Sequence, residues 1–406
     1  MNIALFSDSY LPTKSGIVTV VIQLRQILEQ MGHHVVIVTV DAGPVGQVED
    51  DPCVLRVPSL HSPVGDDQYM GFPRRRRVIE FLKKNNIQII HSHTEFFLGH
   101  MANVAGKKLK IPVIATTHTM WEDYYKYYLM LGKLIPRKVI RKVVQRIYKK
   151  FYAFINVSQK AHDYFRKPFI LPKIPSAIIP NAIDAKHFAG EKATEQQKKE
   201  LKNSLGIGEN QKVILYVGRI VSEKRLDELL DVVIRTVNKR ADTKMVFVGS
   251  GDREEALRNK VKELGLSDKI IFTGFIDWHK LYIYYNIADV FVTVSLSEMH
   301  SMTILEALSQ GVPVVCRKDT SFSDTVFHGI DGFFALSDKE VDDYLIKILN
   351  DSELGAKMGK EAFEVSQRFT LDIHGRRTVA FYEEVLKHYP NPVTPEELQL
   401  AVDKIR

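Results

Sequence analysis

Glu298 and Glu306 stand in the segment SEMHSMTILEAL, between the β-branched run VFVTVS and a stop made by Gly311 and Pro313. The pattern predicts a strand, a short loop, and a helix from about Ser301 to Gln310. Glu298 then lies in the loop, and Glu306 more than one turn inside the helix. Between them, the backbone N–H groups of Ser301, Met302 and Thr303 open a helix N-terminus, which suits a diphosphate. A carboxylate on each side of a phosphate site suits a ligand with hydroxyls at both ends. A sugar nucleotide is such a ligand, its hexose facing Glu298 and its ribose Glu306. The same spacing also fits an exposed helix glutamate and a charge complementing the helix dipole.

Arg219 ends the run KVILYVGR, and Lys224 follows in IVSEKRLDELL. Two cations at the C-terminal edge of a sheet suit a diphosphate leaving group whose charge develops during cleavage. Taken singly, each is equally a solvated surface charge. Gly16, in LPTKSGIV, can let the backbone approach a phosphate. His118 ends ATTH, while Asp8 and His93 end two other apolar runs. A histidine at a strand tip is either structural or turned towards a ligand. The chain has no Asp-X-Asp triplet, no G-x-G-x-x-G after the first strand and no G-x-x-x-x-G-K loop. A carboxylate-held divalent ion, a dinucleotide fingerprint and P-loop chemistry are therefore not expected.

The elements that must position these residues repeat one rhythm. NIALFSD, HVVIVTV, IQIIHSH, IPVIATTH and FINVS alternate with helical stretches in the first half. KVILYVGR, KMVFVGSG, KIIFTGF, VFVTVS and VPVVCR do so in the second. Alternation of this kind predicts an α/β chain of two Rossmann-like domains with parallel sheets, ligands gathering at the C-terminal strand ends. The change of character at IIPNAID places a junction near residue 184. The expected domains are 1–184, 185–386 and a Pro-broken crossing segment, 387–406, that packs back on the first. A length of 406 residues suits two cores, and 45% hydrophobic with 26% charged content is ordinary for a globular chain. Cys53 and Cys316, far apart and without metal-ligand spacing, read as reduced and buried. The N-terminus does not read as a signal peptide, and no apolar run approaches a membrane span.

The net charge of +7 is unevenly placed. Residues 1–190 hold 26 Lys+Arg and 14 Asp+Glu, and the remainder 30 and 35. A basic half points to an anionic partner: a membrane surface, a nucleic acid or a phosphorylated substrate. From Tyr124 to His162 no acidic residue occurs. Within that stretch Val139, Val143, Ile147 and Phe151 form one apolar row, and Ile140, Val144, Tyr148 and Tyr152 a second. Lys138, Arg141, Lys142, Arg146, Lys149 and Lys150 fill the other face. This is a basic amphipathic helix, suited either to anionic lipid or to ordinary crossover packing. The two can coexist, the stripe packing while Tyr127, Leu129, Met130 and Leu131 reach a bilayer. Arg74–Arg77 adds charge to the same half.

Jointly, these segments resemble the retaining glycosyltransferases of family four, which have the two-domain GT-B fold. The resemblance covers nearly the whole chain: IALFSDSYLPTKSGIVTVV, the His118 segment, PNAID, LYVGRIVSEKRLDELL, VFVGSGDREEAL, and the Glu298–Glu306 element followed by GVPVV. It implies that Arg219 and Lys224 meet the donor phosphates, Glu306 the ribose and Glu298 the sugar. It also puts Gly16 beside the diphosphate, His118 near the hexose, and Gly249, Ser250, Ile276, Ser301, Met302 and Thr303 in the donor pocket. The implied fold is two Rossmann-like domains facing across a cleft. HSHTEFFLG, TTHTMWEDYYKYY and the Met-Thr of HSMTILEA are similar to the bacterial diacylglycerol glycosyltransferase branch. Departures are Ser301 and Ala182, where many relatives carry Gly.

That branch implies transfer of glucose or galactose from a UDP-sugar (UDP-glucose or UDP-galactose) to 1,2-diacylglycerol with retention, no cofactor or metal being required. It also implies a cytoplasmic enzyme held peripherally at the inner face of the cell membrane. The residues expected on the membrane and acceptor side are His93, Glu95, Trp121, Tyr127, Leu131, Arg137, Arg141, Lys142 and Lys149. With no carboxylate nucleophile evident in the first half, same-face attack assisted by the leaving phosphate is expected, His118 orienting the hexose. Other expectations from the same residues are a phosphatidylinositol or soluble saccharide acceptor, a sugar-nucleotide epimerase, and a basic nucleic-acid-binding protein.

Overall fold

The computed structural model describes residues 1–13, 15–41, 51–61, 69–128, 134–167, 170–171, 173–184 and 192–405, with backbone alone at 123–124 and 127–128. Leu129, Met130 and Leu131 lie outside the described residues, as does the side chain of Tyr127. The chain forms two compact units, Met1–Asn181 with Leu371–Arg406, and Ala182–Thr370.

In the first unit the described strands are β1 (Asn2–Ser7), β2 (His34–Val40), β3 (Val54–Val57), β4 (Ser59–His61), β5 (Tyr69–Gly71), β6 (Ile89–Ser92), β7 (Val113–Thr117), β8 (Ala153–Asn156) and β9 (Ser176–Ile178). Seven of them form a parallel sheet in the order β3-β2-β1-β6-β7-β8-β9, and β4 and β5 make an antiparallel pair. The central strands are apolar throughout because helices cover both faces. Ile3, Ala4, Leu5 and Phe6 are all fully buried. The helices are α1 (Gly16–Gln30), α2 (Arg75–Lys84), α3 (Phe97–Leu109), α4 (Trp121–Tyr128), α5 (Arg137–Tyr148) and α6 (Gln159–Phe165).

The second unit has β10 (Lys212–Val217), β11 (Thr243–Val248), β12 (Ile270–Phe272), β13 (Val290–Thr293), β14 (Val314–Arg317) and β15 (Gly332–Ala335), parallel in the order β12-β11-β10-β13-β14-β15. Its helices are α7 (Glu195–Ser204), α8 (Leu226–Lys239), α9 (Glu254–Glu263), α10 (Leu281–Asn286), α11 (Met302–Ser309), α12 (Asp338–Asn350) and α13 (Ser352–Ser366). In each sheet the opening strand sits centrally: β1 lies between β2 and β6, and β10 between β11 and β13. The winding direction reverses there, which opens a crevice at the C-terminal ends of those strands.

The chain returns to the first unit through α14 (Leu371–His388) and α15 (Pro395–Asp403). Residue 387, expected to begin a crossing segment, lies inside α14, whose apolar face buries Phe381, Tyr382 and Val385 in the first unit's core. A Cβ at Gly375 would come within 2.7 Å of Ile27 Cγ1, so glycine permits the close approach of α14 to α1. Tyr382 Oη reaches His91 Nδ1 at 2.7 Å, a polar contact in that otherwise apolar packing. Cys316 is buried, whereas Cys53 is half-buried rather than fully so, and neither is in a disulfide. No described helix is long and apolar enough to cross a membrane.

Candidate functional site

In the second unit the site is assembled where β10 and β13 end. Gly218, at φ 152°, turns the chain out of β10 and leads to Arg219. A Cβ at Gly249, where φ is 134°, would fall 2.0 Å from the Gly218 carbonyl. That backbone contact explains why the turn after β11 opens with glycine. Ser250 then accepts from the Ile220 amide at 2.8 Å through its carbonyl. A 3-10 turn, Ser222–Lys224, and a left-handed Arg225 separate β10 from α8, so Lys224 ends a short turn just two residues ahead of that helix.

Lys224 Nζ meets Glu298 Oε1 at 2.6 Å, bridging the ends of β10 and β13. Arg219 donates to Glu223 Oε1 at 2.5 Å, and Lys224 lies 3.9 Å from that same oxygen. The result is a row of alternating charge: Arg219, Glu223, Lys224, Glu298. Glu223 is buried, whereas the Arg219 side chain keeps 57% of its exposure. Burial alone raises the Glu298 carboxyl, but Lys224, Ser295 and Arg219 outweigh it and hold the pKa below the ordinary value. Glu298 is therefore ionised at neutral pH.

The expected helix is α11, capped by Ser301, whose hydroxyl accepts from the Ile304 amide at 3.4 Å and lies 3.1 Å from Thr303 Oγ1. The cap leaves the Met302 and Thr303 region at the open end of the helix dipole. Glu306 is not an exposed helix residue; it is 5% exposed. Tyr285 Oη donates to its Oε2 at 2.7 Å and Trp278 Nε1 to its Oε1 at 3.3 Å. Burial raises its carboxyl to about 7, with both donors opposing the rise. Ile276 is half-buried against the core beside Trp278. Arg219, Lys224, Gly249, Ser250, Ile276, Ser301, Met302, Thr303, Glu298 and Glu306 thus all lie in this unit.

Glu223, Tyr285 and Trp278 escaped the sequence reading. Glu223 had a signal, an acid placed i+4 from Arg219 and next to Lys224. The two aromatics had none, since their partner lies in another helix.

The first unit holds a different cluster at the ends of β1, β6 and β7. Gly16 is the first residue of α1, capped by Ser15, and a Cβ there would meet nothing within 4 Å. Asp8 accepts from the Leu98 amide at 3.0 Å, and its own amide donates to Thr94 Oγ1 at 2.8 Å. Burial raises the Asp8 carboxyl to about 6. His93 Nδ1 and His118 Nε2 are 3.2 Å apart. Burial first, and then the neighbouring His374, lower His118 to about 4. His91 and His93 are also held well below the usual range by burial. All three rings are therefore neutral at pH 7. A small cavity beneath them is lined by His91, His93, Asn181, His374 and Thr378. Among the described residues no group of three His, Cys, Asp or Glu gathers at metal-holding distance.

Glu95, Trp121, Arg137 and Arg141 serve a structural network. Glu95 is buried and accepts from Tyr148 Oη and, at 3.0 Å, from Trp121 Nε1. Glu122, whose side chain is 1% exposed, accepts from Arg137 Nε and Arg141 Nε, each at 2.8 Å. These bonds fasten α5 to α4. Ile140, Val144 and Tyr148 face inwards, while Val139 and Val143 stay 47% and 44% exposed among Lys138, Lys142, Arg146 and Lys149. Of the two apolar rows, the second is buried from Ile140 to Tyr148, whose ring packs on Phe154 of β8 and Phe165 of α6, and the first leaves its leading pair in solvent.

The comparisons agree with this architecture. Residues 14–187 match the model of Glycosyltransferase Family 4, and residues 197–365 that of Glycosyl transferases group 1. The chain belongs to this family of retaining glycosyltransferases, with the GT-B fold and sugar transfer as its chemistry. It is 28% identical to an alpha-monoglucosyldiacylglycerol synthase of Acholeplasma laidlawii, over 95% of this chain and 98% of that protein. A second synthase of that name, from Streptococcus pneumoniae, is 28% identical over 95% of this chain and 86% of its own length. Sucrose-phosphate synthase of Thermosynechococcus elongatus shares the fold with TM-score 0.75 at 20% identity, covering 95% of this chain and 99% of that one. HepE of Anabaena, solved in complex with UDP-glucose, does so with TM-score 0.72 at 17% identity, covering 94% and 99%.

Proposed function

We propose that the chain transfers glucose or galactose from a UDP-sugar to 1,2-diacylglycerol, with retention, at the cytoplasmic face of an anionic membrane. The observation that carries the donor side is the Lys224–Glu298 pair at the N-terminal end of α11, with Glu306 inside the helix. Lys224 and Arg219 take the diphosphate, Glu298 accepts from hexose hydroxyls, Glu306 accepts from the ribose, and Ile276 lies along the base. The open turn of α11 and the Ser250 amide supply backbone N–H groups to phosphate oxygens, the Gly249 N–H being taken by the Gly274 carbonyl. UDP as carrier is supported by the HepE likeness, whose structure holds UDP-glucose.

The bond from sugar C1 to the phosphate oxygen breaks as the acceptor hydroxyl attacks C1 from the same face. The hydroxyl proton passes to the departing phosphate oxygen, and UDP leaves. Two cations near the diphosphate stabilise charge that exists only as that bond breaks, so they lower the barrier rather than merely tighten binding. His118, neutral and held by His93, can donate to or accept from a hexose hydroxyl, which suits an orienting role.

The acceptor reading rests on the names of the two synthase relatives and on α5. Val139 and Val143 present apolar surface ringed by lysines, the arrangement of a helix lying in an anionic lipid interface. Lys142 and Lys149 stay exposed for such contact, whereas Arg141 and Arg137 are engaged by Glu122. The test is a donor panel offered with diacylglycerol, phosphatidylinositol or a soluble saccharide in anionic vesicles, product stereochemistry being read by NMR. An α-glycosyl diacylglycerol is expected; product on a different acceptor alone would replace the lipid assignment.

A further inference from the structure

Glu306 reaches its site from α11, but its two nearest side-chain donors come from another piece of chain. Asp277 caps the 3-10 turn Trp278–Lys280 by accepting from the His279 amide at 3.1 Å, and α10 follows at once. Trp278 opens that turn and Tyr285 lies in α10, where its ring is fully buried. One donor therefore meets each carboxylate oxygen, Tyr285 on Oε2 and Trp278 on Oε1. An ionised carboxylate offers about four lone-pair directions. With one taken on each oxygen, one on each remains.

We propose that Tyr285 and Trp278 are positioning residues that aim the two remaining lone pairs of Glu306 at the 2′- and 3′-hydroxyls of the donor ribose. The inference rests on the assignment of Glu306 to the ribose and extends it. A vicinal diol donates one hydrogen from each hydroxyl, which two fixed acceptors on one carboxylate can match. Tyr285 Oη also lies 3.3 Å from the Thr303 carbonyl, in the first turn of α11. The phenol thus locks the carboxylate to the same turn that offers backbone groups to the diphosphate. Burial that raises Glu306 to about 7 is opposed only by these two hydrogen bonds among the causes of its shift, so they are what keeps the acceptor form available. The consequence is selectivity: a sugar nucleotide without the diol leaves buried acceptors unmatched.

The experiment uses the full chain with UDP-glucose or UDP-galactose, whichever is turned over, and its 2′,3′-dideoxy counterpart. Wild type, Tyr285→Phe and Trp278→Phe are compared by kcat and donor KM, folding being checked by thermal melting. Wild type is expected to favour the ribose donor by roughly 10–100-fold in kcat/KM, the range for hydrogen bonds to a charged group. Each variant should raise the KM of the ribose donor by about 5–20-fold with kcat within about twofold, while the dideoxy donor is affected by less than about twofold. If wild type does not discriminate, the ribose assignment itself fails, and the inference with it. If wild type discriminates but both variants weaken the two donors equally, Glu306 keeps its role and the positioning inference is overturned. Trp278→Phe carries the test alone if the fully buried Tyr285→Phe variant does not fold.

Discussion

Glu298 and Glu306 are the same residue type on one short segment, yet their surroundings push them in opposite directions. Lys224 holds Glu298 low, and burial holds Glu306 high. Glu298→Ala is expected to reduce kcat by about 10²–10³-fold and blur the choice of sugar, whereas Glu306→Ala mainly raises donor KM. Steady-state kinetics on a donor panel checks this, and equal, mild effects would refute the assigned roles. The Glu306 shift also gives a pH limb. Its ionised, accepting form is lost as pH falls through about 7, so donor KM should be roughly tenfold higher at pH 6 than at pH 8. Glu306→Gln should flatten that limb. The same raised pKa works against the fold in the other direction. Between the ordinary carboxyl value and about 7 the folded state binds the extra proton, so this residue's contribution to stability declines as pH rises through that window.

Among the described helices, α5 is the one that sets exposed valines among basic residues. Its inward row is committed to the first unit's core, and Glu122 fixes its orientation through Arg137 and Arg141. Val139→Glu together with Val143→Glu changes only exposed positions, so melting should shift little. Vesicle co-sedimentation on anionic lipid should nonetheless fall severalfold, and unchanged binding would remove α5 from the interface. Glu122→Gln tests the fastening instead. Its carboxylate is buried but both arginines reach solvent, so the loss is expected at about 1–2 kcal/mol, below a fully buried pair. Thermal or denaturant unfolding measures it. Gly249 is a further hinge of local structure: Gly249→Ala would drive a Cβ into the Gly218 carbonyl at a positive φ. A lowered melting temperature with weakened donor binding is expected.

For the whole molecule, the basic half and the acidic half coincide closely with the two units, since residues 1–190 hold the excess of Lys+Arg. Electrostatic attraction to anionic vesicles should therefore weaken steadily with added salt, while donor KM in detergent solution changes less. The C-terminal helices belong to the same accounting. Phe381, Tyr382, Val385 and Leu398 are fully buried in the first unit, so a chain ended before Leu371 should lose cooperative melting rather than activity alone.

The short strands β3, β4, β5, β9 and β15 escaped the sequence reading, but the ten other described strands, the alternation of sheet and helix, and the loop-then-helix around Glu298 were legible in it. Each depends on local hydrophobic period, caps and turn residues that lie next to one another in the chain. The α11 span followed from those signals almost residue for residue. Which of the two apolar rows of α5 would pack was not legible, because both have the same i,i+4 spacing. Only the neighbours packed against the helix, α4 and the aromatic rings around Tyr148, choose between them. Likewise, the bond from Lys224 to Glu298 and the clasp of Tyr285 and Trp278 on Glu306 join side chains far apart in sequence. Sequence by itself set the candidate site residues and the type of fold; tertiary structure decided their charge states, since protonation follows burial and through-space partners rather than neighbours along the chain.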